Sequence, residues 1–432
     1  MVKRLNSSDG NFEQDFNDLL LKNRDTENDV SGVVKDILRD VKARGDQALF
    51  EYTEKFDGLS LTADTMRVSE QEIEDALKAC ADDTLDALKL AAQRITDFHI
   101  RHIPENDQMT DDAGVKLGVR WNAVEAAGIY VPGGKAAYPS SVLMNAVPAV
   151  AAGVERIIMV VPSPKGYLNP LVLAAAHISG ITEIYRIGGA QAVAALAYGT
   201  ETIKAVDIIA GPGNAYVAAA KKEVFGTVGI DMIAGPSEIL VLADNKNDPK
   251  WVAMDLLSQA EHDEVAQSIL ITDDQEYAIK VIDAVEDHLK TLPRANIARA
   301  SWNNHGCVIT VSDLDDAPAL INQIAPEHLE LAVADCEKML SKIRNAGSIF
   351  IGRYTPEAIG DYIAGPNHVL PTSGSARFSS GLSVLDFMKR STLIECDAAS
   401  IAKIGPSAMT LAGEEGLDAH KKSIEIRLTE KK

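Results

Sequence analysis

The sequence predicts an α/β protein with two doubly wound parallel-sheet units, and three observations carry that expectation. Short, almost wholly apolar segments recur between residues 124 and 243 and again between 268 and 351, with helical stretches between them. That alternation is the pattern of a parallel sheet covered on both faces. Several of these segments end in glycine-rich turns: Pro132-Gly133-Gly134, Gly188-Gly189-Ala190-Gln191 and Gly211-Pro212-Gly213-Asn214. Finally, 432 residues are too many for one ordinary core.

In chain order, residues 12–102 read as helices. Val30 to Leu61 and Ser69 to His99 place apolar residues three and four apart. Residues 103–113 are polar and read as a loop. Strands are expected at Ala127–Val131, Arg156–Val161, Glu183–Ile187, Val206–Ala210 and Ile239–Ala243, all in the first unit. A helix follows: Asp248 can cap it, Pro249 suits its first turn, and Trp251, Met254, Leu256 and Leu257 supply its apolar side. The second unit resumes with strands at Ser268–Thr272, Cys307–Val311 and Ser348–Ile351, and the helices at 30–100 are expected to pack with it. Pro326-Glu327-His328 reads as a helix opening, and Thr355-Pro356-Glu357 as another, with Thr355 as cap. The tail from about 382 mixes short strands and helices and lacks a core of its own.

Composition narrows the function. With 63 acidic against 42 basic residues the formal charge is -21, which argues against nucleic acid or an anionic membrane surface as partner. The basic runs are short pieces such as Lys221-Lys222 and Lys421-Lys422. Cys80, Cys307, Cys336 and Cys396 are far apart and form no C-x-x-C pair. They read as buried free thiols of a reducing compartment, not a disulfide framework. The N-terminus turns polar and acidic without an apolar signal segment, so a cytoplasmic protein is expected by elimination.

The chemistry-bearing stretch is Ser258-Gln259-Ala260-Glu261-His262-Asp263, which packs an amide, an imidazole and carboxylates into six residues. Gln259 and His262 are three apart and share a face of a helix. Glu327 and His328 are adjacent groups of different basicity, suited to moving protons. Glu357 and Asp361, four apart, share a helix face before Gly365-Pro366-Asn367-His368, and Glu415 and His420 lie late in the chain. Imidazole, amide and carboxylate without thiolate suit zinc, and equally manganese, cobalt or nickel. Each motif alone also fits a solvated helix end, and spacing does not select a ligand set. The glycine-rich turns belong at the carboxyl ends of parallel strands, where ligands bind. None completes G-x-G-x-x-G, but three in one unit favour a nucleotide site. A metal-dependent hydrolase and a metal-dependent binding protein remain alternatives on these residues alone.

Seven segments together resemble the histidinol dehydrogenase family. They are Tyr130-Val131-Pro132-Gly133-Gly134, Gly188-Gly189-Ala190-Gln191-Ala192, Gly211-Pro212-Gly213-Asn214, Ala234-Gly235-Pro236-Ser237-Glu238, Ser258-Gln259-Ala260-Glu261-His262, Pro326-Glu327-His328-Leu329-Glu330 and Gly365-Pro366-Asn367-His368. They stand in the family's order and cover about residues 25–425. The resemblance implies oxidation of L-histidinol to L-histidine through the aldehyde, in two NAD-dependent steps on one site. It implies zinc on Gln259, His262, Asp361 and His420, and a substrate pocket that adds Ser237, His328, Glu357, His368 and Glu415. It matches Tyr130, Gln191 and Asn214 to NAD contacts, and Glu327 and His328 to the acid–base pair. It also implies two Rossmann-like domains: an NAD-binding domain, 126–238, inserted between 26–125 and 239–381. An N-terminal arm, 1–25, and a tail, 382–432, would then serve a homodimer whose active site takes residues from both subunits.

Overall fold

The structure, a computed structural model, describes residues 2–22, 30–133, 138–181 and 183–429. Gly134 of the first glycine-rich turn and residues 23–25 of the expected arm lie outside the described residues. Among the described residues fourteen strands are found: β1 Lys3–Asn6, β2 Asp107–Thr110, β3 Lys116–Ala123, β4 Ala126–Tyr130, β5 Arg156–Val160, β6 Glu183–Tyr185, β7 Ile208–Ala210, β8 Gly229–Ile230, β9 Glu238–Ala243, β10 Gln267–Thr272, β11 Cys307–Thr310, β12 His328–Ala332, β13 Ser348–Ile351 and β14 Met388–Glu395. They form a five-stranded sheet in the order β6-β5-β4-β7-β8, a six-stranded sheet in the order β1-β11-β10-β9-β12-β13, and a three-stranded sheet in the order β14-β3-β2. The first two are parallel throughout and the third is antiparallel. The fold is thus α/β with two parallel sheets, as the sequence predicts.

By packing, the chain divides into two compact units. One holds the residues up to Arg101 and Glu125–Phe387, and so both parallel sheets. The other holds His102–Val124 and the chain from Met388 onward. The first unit is rich in fully buried apolar runs: every residue of β4, β7, β9, β10 and β12 is buried. The second unit is sparse. Its β14 is exposed along nearly its whole length, and Ile394 and Leu411 are 73% and 66% exposed. Its helix Ala398–Glu414 is capped by Asp397, whose carboxylate accepts from Ser400 N at 2.7 Å.

Several expectations are corrected. The segment Ile239–Ala243 does not belong to the first sheet. As β9 it lies in the six-stranded sheet between β10 and β12, because its buried apolar run is completed on both edges there. The helices between Ser31 and Ile100 were expected with the second sheet. Instead Val34, Ile37, Leu38 and Val41, one stripe of the helix Ser31–Arg44, share a core with Tyr130 of the five-stranded sheet and with Leu196 and Val217 of the helices Gly189–Tyr198 and Ala215–Val224. Asp107–Thr110 is a strand inside the expected loop. All four residues are exposed, so an edge strand there needs no apolar pattern. The short β1 also carried no readable pattern, yet it pairs in parallel with β11.

The most consequential correction concerns Pro326-Glu327-His328, which opens a strand rather than a helix. The helix Ala317–Ile324 ends just before it, with Ala325 in the left-handed region at φ 50°. His328 then begins β12, held between β9 and β13. Leu329 and Leu331 enter the core with Leu240 and Leu242, and the alternating positions, His328 and Glu330, face the other way. The charges at 327, 328 and 330 resemble a polar helix face in sequence, but the two-residue period of the leucines is the one that packs. The helix Pro249–Ala260 is capped by Asp248 as expected, at 2.9 Å to Lys250 N. Its buried side is Val252, Ala253, Leu256, Leu257, Gln259 and Ala260, while Trp251 and Met254 are exposed and Trp251 lies against Tyr354. The helix Glu357–Tyr362 starts where expected, but Thr355 is not its cap. The Thr355 hydroxyl donates to Ile351 O at 2.8 Å, and Pro356 holds the capping position. Of the cysteines, all free, only Cys307 is fully buried, and Cys396 is exposed.

Leu329 is fully buried on the face of β12 away from the polar cluster. Leu329→Ala is expected to cost ~2–5 kcal/mol, the range for a buried leucine truncated in a core that only partly relaxes. Urea denaturation with an unchanged slope checks this.

Candidate active site

Two sets of functional groups lie in the first unit. One is at the carboxyl edge of the five-stranded sheet. From β4 the chain moves outward to β5 and β6, then returns to the other side as β7, so β4 and β7 flank a topological switch point. Such points open a crevice for ligands beyond the strand ends. Tyr130 ends β4 and is buried. Its hydroxyl accepts from Gly189 N at 3.0 Å, and burial pushes its pKa up to about 12. Gln191, also buried, lies in the first turn of the helix Gly189–Tyr198. After β7 comes Gly211-Pro212-Gly213-Asn214. Asn214 caps the helix Ala215–Val224, accepting from Tyr216 N and Val217 N at 3.1 and 3.2 Å, and is itself exposed. Gly211 has φ 118°, and a Cβ there would run into the Tyr130 carbonyl. Only glycine allows these two strand ends to approach so closely.

The second set gathers at the amino ends of β9 and β12, the opposite edge from the one where an open parallel sheet ordinarily binds ligands. Parallel pairing puts His328 beside Ile239, so the Glu238 peptide faces the His328 side chain. The His328 Nδ1 lies 2.9 Å from Glu238 O. Gln259 Nε2 also lies 3.1 Å from Nδ1, but its two hydrogens go to Glu357 Oε1 and Glu238 O; a carbonyl only accepts, so this arrangement assigns the hydrogen to Nδ1 and the lone pair to Nε2. Gln259 Nε2 donates to Glu357 Oε1 at 2.8 Å and to Glu238 O at 3.3 Å, which leaves its Oε1 pointing elsewhere. Glu327 Oε2 accepts from Glu238 N at 2.8 Å. Glu357 N donates to Glu330 Oε1 at 2.7 Å, which ties the first residue of the helix Glu357–Tyr362 to β12. One turn later Asp361 lies 3.7 Å from His328 Nε2, and its backbone carbonyl accepts from His368 Nδ1 at 2.9 Å. Asn367, beside His368, donates to Met144 O at 2.5 Å on the helix Pro139–Ala152 of the five-stranded sheet. The segment 367–368 thus links the two sheets.

The electrostatics are those of crowded, buried acids. Burial pushes Glu327 well above the usual carboxylate range, reinforced by the Glu238 and Asp361 charges. Burial does the same for Glu357, with Asp361, Glu330 and Glu327 as further causes. It lifts Asp361 and Glu238 to about 7. Glu330 is raised by burial and by the neighbouring Asp255 charge, and burial lifts Asp255 in turn to about 6. His328 stands 3.7, 3.4 and 3.7 Å from Glu327, Glu357 and Asp361, but desolvation lowers its pKa to about 3 and keeps the ring neutral. His368 is lowered to about 4 for the same reason.

Within this cluster three buried polar atoms have no hydrogen-bond partner among the described residues: Gln259 Oε1, His328 Nε2 and Glu357 Oε2. Gln259 Oε1 and His328 Nε2 are acceptors, as is Glu357 Oε2 once its carboxyl ionises, and buried acceptors without donors are costly. His328, Glu357 and Asp361 each offer a ligand atom, all within 4.8 Å of one another. This donor set, short of positive charge, fits a divalent cation of the nitrogen–oxygen class.

The expected residues distribute as follows. Glu327, His328, Gln259, Glu357 and Asp361 form the buried cluster, with His368 at its edge. His262 lies just past the end of its helix and is solvent-accessible. Surrounding protein nonetheless lowers its pKa, and its charge bears on both His328 and His368. Ser237 precedes β9 and is half-buried. Glu415 and His420 belong to the other compact unit, where both are exposed, His420 on the helix Asp418–Thr429. Sequence reasoning missed the Glu238 backbone, which sets the His328 tautomer. No side-chain pattern could reveal it, because the peptide group acts through strand register. It also missed the Asp255–Glu330 pair, whose members are 75 positions apart in sequence.

Comparison with known proteins agrees with this architecture. The family model described as histidinol dehydrogenase matches residues 20–428. Histidinol dehydrogenase of Rhodospirillum rubrum is 62% identical over 429 residues, 99% of each chain. That of Rhodopseudomonas palustris is 60% identical over 431 residues, the whole of both chains. The crystal structure of histidinol dehydrogenase from Elizabethkingia anophelis superposes with a TM-score of 0.94 at 38% identity, covering 99% of this chain and 98% of that one. The chain belongs to the histidinol dehydrogenase family.

Proposed function

We propose that the chain oxidises L-histidinol to L-histidine through the aldehyde, in two successive NAD-dependent steps at the Glu327–His328 site. The observation that carries this reading is the bare Nε2 of His328, a neutral imidazole with its other nitrogen committed to Glu238 O. Loss of hydride from an alcohol carbon requires a base for the hydroxyl proton, and a fixed lone pair in a dry site supplies it. The second oxidation requires water to add to the aldehyde. In its ionised form Glu327, whose pKa burial raises, is a stronger base than an ordinary carboxylate and so serves as that water's base. Glu238 N holds Glu327 in place and Glu238 O holds His328, so one peptide aligns both.

In this reading Gln259, His262 and Asp361 hold zinc together with His420 of the partner subunit. Ser237, Glu357, His368 and Glu415 complete the substrate pocket, and Tyr130, Gln191 and Asn214 contact NAD. The unpartnered Gln259 Oε1 and the acid-crowded Asp361 support a cation there. When bound, zinc would supply an anchor for the substrate's imidazole and amine, and NAD would supply the hydride acceptor. Residues 126–238 act as the inserted NAD-binding domain and 382–432 as the tail exchanged across a homodimer. Apolar side chains left exposed on the single chain, among them Ile359, Tyr362, Ile394 and Leu411, support a partner surface. Among the described residues no helix is long and apolar enough to cross a membrane, and we assign the enzyme to the cytoplasm.

Four measurements test this reading. Metal-replete protein is expected to reduce NAD with L-histidinol and with the aldehyde. Absence of both reactions would overturn the reading, and hydrolysis of an amino compound without NADH would favour the metal-dependent hydrolase. Glu327→Gln is expected to slow aldehyde oxidation more than alcohol oxidation, by up to ~10²–10⁴-fold, whereas His328→Asn slows both. Single-substrate kinetics on each half-reaction separate them. Because Asp361 keeps its proton up to about pH 7 in the metal-free site, a cation must displace it. Zinc affinity is therefore expected to fall as pH drops below 7, by about tenfold per pH unit for one displaced proton. Competition with a chelator across pH 5.5–8 reads this, and a flat profile would remove Asp361 from the ligand set. Lastly, inactive His420→Ala and His262→Ala dimers, mixed under subunit exchange, should recover about half the wild-type activity per mixed dimer, by two-fold symmetry. No recovery despite proven exchange would place His420 in its own subunit's site.

A further inference from the structure

In sequence, Lys221-Lys222 is a short basic piece at the end of a helix. The structure separates the two residues: Lys222 is exposed and Lys221 is buried. The Lys221 ammonium pairs with Asp231 Oδ1, and the two side chains are only 3% and 0% exposed. Both residues also reach the same glycine. Lys221 Nζ donates to Gly211 O at 2.9 Å, and Asp231 Oδ2 accepts from Gly211 N at 2.8 Å. The ion pair therefore grips both polar atoms of Gly211, the first residue of the turn that runs on to Asn214.

Stability alone does not account for this pair. Burying two charges costs about as much as their attraction returns, and apolar residues of similar volume are often as stable. An apolar pair could not, however, hold an N–H and a C=O of a turn. Gly211 needs holding: its φ of 118° is open only to glycine, the most mobile residue type, and it packs against the Tyr130 backbone. Both ends of the switch-point crevice, Tyr130 and Asn214, are therefore set by the conformation at Gly211.

We propose that Lys221 and Asp231 are positioning residues for the dinucleotide, locking the Gly211–Asn214 turn in the shape that receives it. This rests on the assignment of NAD to the β4–β7 edge. Both side chains bind the polar atoms of Gly211, so their loss is expected to act on NAD and not on histidinol.

The test compares neutral double variants that differ in hydrogen-bonding capacity. Lys221→Gln with Asp231→Asn keeps a donor for Gly211 O and an acceptor for Gly211 N. Lys221→Met with Asp231→Leu keeps neither. The first should hold the KM for NAD near wild type. The second should raise it roughly 10- to 100-fold, the equivalent of one or two lost charge-assisted hydrogen bonds, while the KM for histidinol stays unchanged. NADH fluorescence titration of the substrate-free protein should show the same split in Kd. If the apolar double variant does not fold, Lys221→Met with Asp231→Asn replaces it. That variant differs from the amide pair only in the donor at 221, and a raised KM for NAD is again expected. Equal NAD values in the compared variants, or a rise that follows loss of Tm instead of hydrogen bonding, would overturn the proposal. Asn214→Ala distinguishes the underlying assignment. If it too leaves the KM for NAD unchanged, the NAD assignment fails. If it raises that KM while the apolar or Met/Asn variant does not, the positioning role alone fails.

Discussion

The backbone carbonyl of Glu238 is the constraint on which the candidate active site depends. It accepts from His328 Nδ1 and from Gln259 Nε2, while the N–H of the same residue holds Glu327. The carbonyl is immobile because Glu238 begins β9, a strand paired in parallel on both sides. A side chain in that role would have rotamers to choose from, but a peptide in the middle of a sheet has none. The tautomer of His328, and hence which nitrogen is free to take a proton, follows from strand register.

Around that point the protein concentrates acids instead of neutralising them. Glu238, Glu327, Glu330, Glu357 and Asp361 are buried or nearly so, and burial raises every one of them above the usual carboxylate range. Such a cluster is costly to fold with empty acceptors and becomes favourable when a cation or a cationic substrate enters. The amino-end location of the cluster has a structural cause. The chain leaves the five-stranded sheet through Gly235-Pro236-Ser237 and enters the other sheet at Glu238, so the amino end of β9 is the point nearest the crossing between them. Asn367 and His368, tied to the helix Pro139–Ala152, close the same junction.

Much of this was legible in the sequence. The buried parallel strands announced themselves because their apolar runs are continuous, and the helix at 249 because Asp248 and Pro249 are strong local signals. Family resemblance also picked out Glu327 and His328 and their neighbours. The failures cluster where the local signal was misleading or absent. Pro326-Glu327-His328 imitates a helix start. Asp107–Thr110 is too polar to read as a strand. Lys221 resembles its exposed neighbour.

The sequence by itself determined the fold class, the alternation of strand and helix, and the inventory of acids, imidazoles and glycines, because these depend on local periodicity and residue chemistry. Only the tertiary structure decided that β1 pairs with β11, which nitrogen of His328 is free, and which charges lose their water. Those depend on pairing between segments tens to hundreds of residues apart, and on a dielectric environment that exists only once both sheets have packed.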